Sequence, residues 1–271
     1  MRPTHLSAAV TLGPDGHAPA YFIRSPRETL SKLKELGYTG IDLLLRHPED
    51  AENSGLDRIL EQLNISLVSI LTGPGKSVDG LSLADPQTSE AAVQRVISHL
   101  VYARRHSAKV VLGWLLGWLP EGAARAPAAA LLAESLRRCA VEANRLQVPL
   151  LIEPLNRYET NVARTAAEAL EWVQLVGGGL GLILDTFHMN IEEANLLAVA
   201  AQVATHVEHL HLADSNRLAP GAGHLPMEDF LAALTDAGYS GSVGIEALPV
   251  PDSETSATMA MAWLRQRMAV L

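Results

Sequence analysis

Eight short apolar runs, each followed by a stretch with helical periodicity, constrain the fold of this chain more than any other feature. The runs are Leu6–Leu12, Gly40–Leu45, Ile65–Leu71, Lys109–Leu116, Val148–Ile152, Leu180–Leu184, Val207–Leu210 and Ser242–Ile245. Between them lie segments such as "SPRETLSKLKELG", where Ser25 suits an N-cap, Pro26 the first turn and Gly37 a stop. The long segments "DPQTSEAAVQRVISHLVYARRH" and "APAAALLAESLRRCAVEANRLQ" have the same helical character. Apolar strands alternating with helices predict a parallel sheet covered by helices. Eight such units in about 250 residues predict an α/β fold, a single (β/α)8 TIM barrel. No linker rich in Pro, Gly or Ser divides the chain, so residues 1–271 are expected to form one catalytic domain. The alternative, a doubly wound open sheet, would carry G-x-G-x-x-G after its first strand, and none is present.

Bulk properties narrow the partners. The net charge is −9 and there is no basic block, which argues against nucleic acid. No apolar run reaches the roughly 18 residues that a membrane helix needs. The start, "MRPTHLSAAVTLG", lacks a charged segment followed by an apolar core, so no signal peptide is expected. Cys139 is the only cysteine and cannot form an internal disulfide, which suits a reducing, cytoplasmic setting. Its place in a helical segment predicts packing rather than chemistry.

Four consecutive runs end in a potential metal ligand: Glu153, Asp185, His211 and Glu246. In a (β/α)8 barrel these strand ends converge on one mouth, where such barrels place their chemistry. Three carboxylates and one imidazole form a mainly oxygen-donor set, suited to Mn²⁺, Mg²⁺ or Co²⁺. Without a cation the carboxylates would repel one another and some would stay protonated. The plainer reading makes each a strand-end cap or ion-pair partner, which must then hold four times in succession. His209, two residues before His211, points the same way one layer deeper and reads as a supporting or packing histidine. His5, His17, His47, His99, His106 and His206 read as structural or surface residues. His224 lies in the loop "APGAGHLP" and can face the mouth; the loop lacks the lysine of a phosphate-binding P-loop.

The set "IEPLNRYET", "ILDTFHMNIEE", "HLHLADSNRLAPGAGH" and "VGIEALP" resembles the xylose-isomerase-like barrels, specifically the D-tagatose 3-epimerase (D-allulose or D-psicose 3-epimerase) family. The likeness runs along the whole chain, is densest over residues 148–250 and is weak in the first 60. It is closest to the 5-keto-L-gluconate epimerase branch, in which "DGLSLADP" also has a counterpart. The resemblance implies one divalent metal ion, Mn²⁺ first and Mg²⁺ or Co²⁺ next, held by Glu153, Asp185, His211 and Glu246. It implies that Glu153 and Glu246 are the acid/base pair of an epimerase acting beside the ketone of a ketose or keto-sugar acid, through a metal-stabilised enediolate. It further implies that Glu159, His188 and Arg217 contact the sugar or support a catalytic carboxylate, and that the chain forms a dimer or tetramer.

Two residues bear on the substrate. Arg46, at the end of the second run, is suited to a sugar-acid carboxylate, with Lys76 in support. Equally, Arg46 can pair with a local acid such as Glu49 or Asp50, or with a neighbouring loop. Trp114, more than Trp118, is expected to give the pocket an apolar wall. Rival activities are an aldose–ketose isomerase of the hydroxypyruvate-isomerase type and an endonuclease IV-like hydrolase. The hydrolase would need further histidine ligands and a basic face. A non-catalytic sugar-binding barrel would be marked by loss of Glu153 or Glu246, and both are present.

Overall fold

The computed structural model describes residues 3–13 and 19–268. Strands β1 (Leu6–Val10), β2 (Gly40–Leu44), β3 (Ser66–Leu71), β4 (Lys109–Leu112), β5 (Leu150–Ile152), β6 (Leu180–Asp185), β7 (Val207–Leu212) and β8 (Ser242–Ile245) pair in sequence order. All neighbours are parallel, and β8 pairs with β1 to close the barrel. The expected (β/α)8 architecture is therefore the observed one.

Strand limits depart from the apolar runs for local reasons. The fourth run was expected to extend to Leu116, but the chain leaves the sheet at Gly113 and Trp114–Leu116 form a 3-10 turn. The fifth starts at Leu150 rather than Val148, because the Val148 N–H still closes the preceding helix on the Ala143 carbonyl. The sixth and seventh extend further than expected, so Asp185 and His211 lie within their strands.

The helices follow the cues in the sequence. In Pro26–Leu36, Ser25 Oγ accepts from the Glu28 N–H at 3.2 Å, and Gly37 ends the helix at φ 99°. That conformation is open to glycine without steric cost. Helices Ser89–His106 and Arg125–Leu146 pack side by side, the former also against β3 and β4. Cys139 is wholly buried in this layer, and burial pushes its thiol up to about 12, so it packs as an apolar group. Among the described residues no helix is long and apolar enough to cross a membrane.

The barrel interior is divided. Ala9, Leu71, Val111, Leu151 and Ile183, with Leu44, form an apolar cluster of their own. Against it stands a buried polar group: Ser7, Asp42, Ser69, His209 and Ser242, contributed by β1, β2, β3, β7 and β8. Lys109 reaches from β4 across the barrel to Ser242 Oγ, 3.3 Å away.

His99, on the inward face of its helix, is wholly buried and neither ring nitrogen has a hydrogen-bond partner among the described residues. Burial, assisted by the Arg95 charge, pushes its pKa down to about 3. The folded state thus holds it neutral, whereas the unfolded chain takes up a proton below about pH 6.5. Its stabilising contribution is complete above that value and is lost as pH falls toward 3. We expect His99→Leu to remove about 2 kcal/mol of the stability difference between pH 7 and pH 5. Urea denaturation of both proteins at the two pH values measures this, and parallel pH dependences would refute it.

Candidate metal centre and active site

Each side chain of the central cluster is placed by a strand end. The Glu153 N–H donates to the Leu112 carbonyl at 2.9 Å, extending the β5 ladder by one residue before Pro154 stops it. Asp185 ends β6 and caps the helix Thr186–Glu192, its Oδ1 accepting from the Phe187 N–H at 2.7 Å. His211 lies inside β7, and Glu246 follows β8 with its N–H on the Leu212 carbonyl at 3.3 Å. One ligand atom from each of these four residues lies within 4.8 Å of all the others, and all four residues are buried. Glycine makes room: a Cβ at Gly113 would stand 2.8 Å from Glu153 Oε2.

The cluster has the character of a cation site. Glu153 Oε1, Asp185 Oδ2 and His211 Nδ1 are buried without a hydrogen-bond partner among the described residues. Such orphaned atoms are costly unless something bonds to them. Here all three belong to the same cluster, with His211 Nδ1 lying 3.8 Å from Glu153 Oε1 and 3.6 Å from Glu246 Oε2. Burial raises the Glu246 carboxyl well above its usual range; Arg217 and His211 oppose this, and Glu153 and Asp185 add to it. For Asp185, burial is outweighed by Arg217, His188 and His211, and its pKa is lowered. His211 is raised well above the ordinary histidine value, because Glu246, Asp42 and Glu153 outweigh burial. These are the electrostatics of a carboxylate cluster that draws in positive charge, and a divalent ion fits its donor set.

A second ring of polar groups lines the same cavity, which has a volume of about 370 Å³. His188 Nδ1 accepts from the backbone N–H of Asn156 at 3.3 Å and from its side-chain amide at 2.8 Å. The amide is oriented by its other bonds: Asn156 Oδ1 accepts from the Tyr158 N–H, and Nδ2 donates to Glu159 Oε1 at 2.8 Å. Burial holds His188 below its usual pKa, so the ring is neutral and its proton is on Nε2. That nitrogen is 3.2 Å from Arg217 Nη1, itself only a donor. The two donors stand side by side at the edge of the cavity, an arrangement that suits a shared oxygen acceptor.

Arg217 is held firmly. Its Nη2 lies 2.5 Å from Glu246 Oε2 and 3.4 Å from Asp185 Oδ2, and its guanidinium covers the Phe187 ring at 4.6 Å. Its backbone sits at φ 60°, and its carbonyl accepts from the Leu248 N–H. A non-glycine residue in that conformation persists where its surroundings impose it. Trp114 Nε1 donates to Glu159 Oε2 at 2.6 Å, which fixes the indole against the cavity.

Arg46 also lines the cavity, but its guanidinium is engaged. It pairs with Asp79, in the loop after β3, with Nε 2.9 Å from Oδ1, and Arg95 holds the other oxygen of the same carboxylate at 2.8 Å. The Arg46 hydrogen bond is the largest influence drawing Asp79 down to about 2. Lys76 and Trp118 are not among the residues lining the cavity. His224 Nδ1 lies 2.9 Å from Ser215 Oγ, within its own loop. His17 is outside the described residues. Sequence reasoning passed over Asn156 and Asp42. Asn156 lies inside the motif "IEPLNRYET" without a signal of its own, and Asp42 is a single charge within the apolar run "GIDLLL".

The family model for xylose isomerase-like TIM barrels matches residues 30–267. The chain belongs to that family. Among its relatives, a D-psicose 3-epimerase of Enterocloster bolteae is 40% identical over 113 residues, 41% of this chain and 38% of the relative's length. A D-psicose 3-epimerase of Agrobacterium fabrum is 29% identical over 226 residues, covering 80% of this chain and 77% of the relative. A solved L-ribulose 3-epimerase superposes with a TM-score of 0.81 at 21% identity, covering 100% of this chain and 95% of the other, and shares the barrel fold.

The orphaned donors generate a prediction. Mn²⁺ at about a hundredfold its Kd should stabilise the protein by about 2.7 kcal/mol, visible as a raised Tm, and Asp185→Asn should abolish most of that rise. An unchanged Tm with Mn²⁺, Mg²⁺ and Co²⁺ would contradict a cation site.

Proposed function

We propose that this protein is a divalent-metal-dependent epimerase that inverts the carbon beside the ketone of a free, neutral ketose. The observation that carries this reading is the pairing of Glu153 and Glu246. They enter one cavity from different sides of the barrel, at the ends of β5 and β8, and both adjoin the same imidazole nitrogen. Epimerisation requires a proton to leave one face of a carbon and another to arrive on the opposite face. Two carboxyl groups on separate walls can do both without moving the substrate. Burial, against the opposing Arg217 charge, raises the Glu246 carboxyl and suits it to hold a proton that it can deliver, while the Arg217 contact fixes its orientation.

Glu153, Asp185, His211 and Glu246 would hold the metal, with Mn²⁺ the best match to the donor set and Mg²⁺ or Co²⁺ next. When bound, the ion would polarise the substrate carbonyl and its neighbouring hydroxyl, making the intervening C–H more acidic. The side chains supply the rest. His188 Nε2–H and Arg217 Nη1–H converge on the cavity and would donate to the oxygen that gains negative charge when the proton leaves. Glu159, fixed by Asn156, holds Trp114 as a wall against the sugar.

The pairing of Arg46 supports a neutral substrate. Its guanidinium is already paired with Asp79, and Asp50 adds a further negative charge nearby. A sugar-acid carboxylate would have to displace Asp79, whereas a neutral sugar meets no such competitor. The names of the relatives, D-psicose and L-ribulose 3-epimerases, point to the same class and to C3.

Incubation of the Mn²⁺-loaded protein in D₂O with ketopentoses, ketohexoses and keto-sugar acids, followed by proton NMR, tests this reading. Deuterium should enter C3 of a ketose as the 3-epimer appears. Glu153→Gln and Glu246→Gln should each lower the rate by about 10²–10⁴-fold, while Arg46→Ala leaves the ketose KM within a few-fold of wild type. Turnover confined to the acids and lost in Arg46→Ala would refute the substrate class. Exchange at C1 with an aldose product would make the protein an isomerase.

A further inference from the structure

Beneath the central cluster, Asp42 on β2 is wholly buried among polar groups from three other strands, β1, β3 and β7. Ser7 Oγ donates to its Oδ2 at 2.6 Å and Ser69 Oγ to its Oδ1 at 2.7 Å. His209 Nε2 lies 3.1 Å from Oδ1, and His211 Nε2 lies 3.6 Å from Oδ2. Neither contact is well aligned as a hydrogen bond, and neither nitrogen has another partner among the described residues.

The direction of the protons can be followed from the bottom of the barrel. Lys109 Nζ has only hydrogens to offer, so it donates to Ser242 Oγ. His209 Nδ1 lies 2.7 Å from that hydroxyl and 3.0 Å from the Ser242 carbonyl, which only accepts. The hydroxyls of Ser7 and Ser69 point inward, so Asp42 is left as an ionised carboxylate that only accepts. The surrounding space is reserved for it: a Cβ at Gly244 would come within 2.3 Å of Asp42 Oδ2 and 3.1 Å of His211 Cδ2.

We propose that Asp42 is the positioning residue of the metal centre: it holds the His211 proton on Nε2, leaving the Nδ1 lone pair aimed at Glu153, Asp185 and Glu246. Ser7 and Ser69 in turn hold Asp42. The inference rests on the metal reading above and adds to it the group that sets the ligand's tautomer and ring angle. A histidine ligand whose other nitrogen is anchored by a carboxylate binds metal more tightly, and loss of such an anchor typically costs about 10–100-fold in affinity.

The test compares wild type with Asp42→Asn, which keeps the side-chain shape, and with Gly244→Ala, which removes no functional group but crowds Asp42 and His211. Electron paramagnetic resonance of free Mn²⁺ gives Kd, thermal unfolding without metal gives intrinsic stability, and ¹⁵N-histidine NMR of the Mg²⁺-loaded protein reports which His211 nitrogen carries the proton. Wild type should bind Mn²⁺ and show His211 protonated on Nε2. Asp42→Asn should weaken binding by about 10–100-fold and lose that NMR signature, and Gly244→Ala should weaken it in the same direction. If folded Asp42→Asn has a lower Tm but keeps Kd within twofold and the same His211 signal, Asp42 is a structural anchor only and the proposal fails. If wild type binds none of Mn²⁺, Mg²⁺ or Co²⁺, the metal reading falls first and takes this inference with it.

Discussion

Mutual repulsion among Glu153, Asp185 and Glu246 is the constraint on which the mouth of this barrel depends. Two like charges about 4 Å apart repel by roughly 4 kcal/mol at an effective dielectric of 20. Three such pairs would approach the whole stability of an ordinary domain, about 5–15 kcal/mol. A fold does not keep three buried carboxylates ionised in one place unless positive charge is supplied there. Arg217 supplies part of it, at 2.5 Å from Glu246 and 3.4 Å from Asp185. His211 supplies more only when protonated, and its Nδ1 then ceases to be a ligand. A divalent ion would satisfy the three carboxylates and free the imidazole to coordinate.

The divided interior of the barrel serves the same end. On the side formed largely by β3 to β6, Leu71, Val111, Leu151 and Ile183 fill the space and exclude water from beneath the cluster. On the other side the hydroxyls of β1 and β3 and the imidazoles of β7 converge on Asp42. A buried carboxylate satisfied by several donors is rigid, because the loss of any one leaves an unpaired polar group. The apolar side gives a low-dielectric floor, and the polar side gives a fixed point from which His211 is directed. Above both, Asn156 ties Glu159 and His188 together, so the ring around the cavity is held by hydrogen bonds and not by packing alone.

Much of this was legible in the residues. Parallel barrel strands are buried on both faces, so they read as continuous apolar runs, and a polar residue ending such a run stands out. That is why Glu153, Asp185, His211 and Glu246 stand out in the sequence. Asp42 was not legible, because it interrupts an apolar run with a single charge and its partners lie on strands distant in sequence. The Arg46–Asp79 pair joins two separate loops, so the sequence left open whether this guanidinium was free for a substrate or paired, and with which acid. The shortened β4 reflects the backbone at Gly113, where the chain turns aside to clear Glu153, an approach that only the closed barrel creates.

The central claim is that one cation is shared by four strand ends. Anomalous diffraction from a crystal grown with Mn²⁺, collected near the manganese edge, examines it directly. The account predicts a single anomalous peak in the barrel, within coordination distance of Glu153, Asp185, His211 and Glu246 together. A peak held instead by Asp42 and His209, or a barrel with no peak at saturating Mn²⁺, would contradict it.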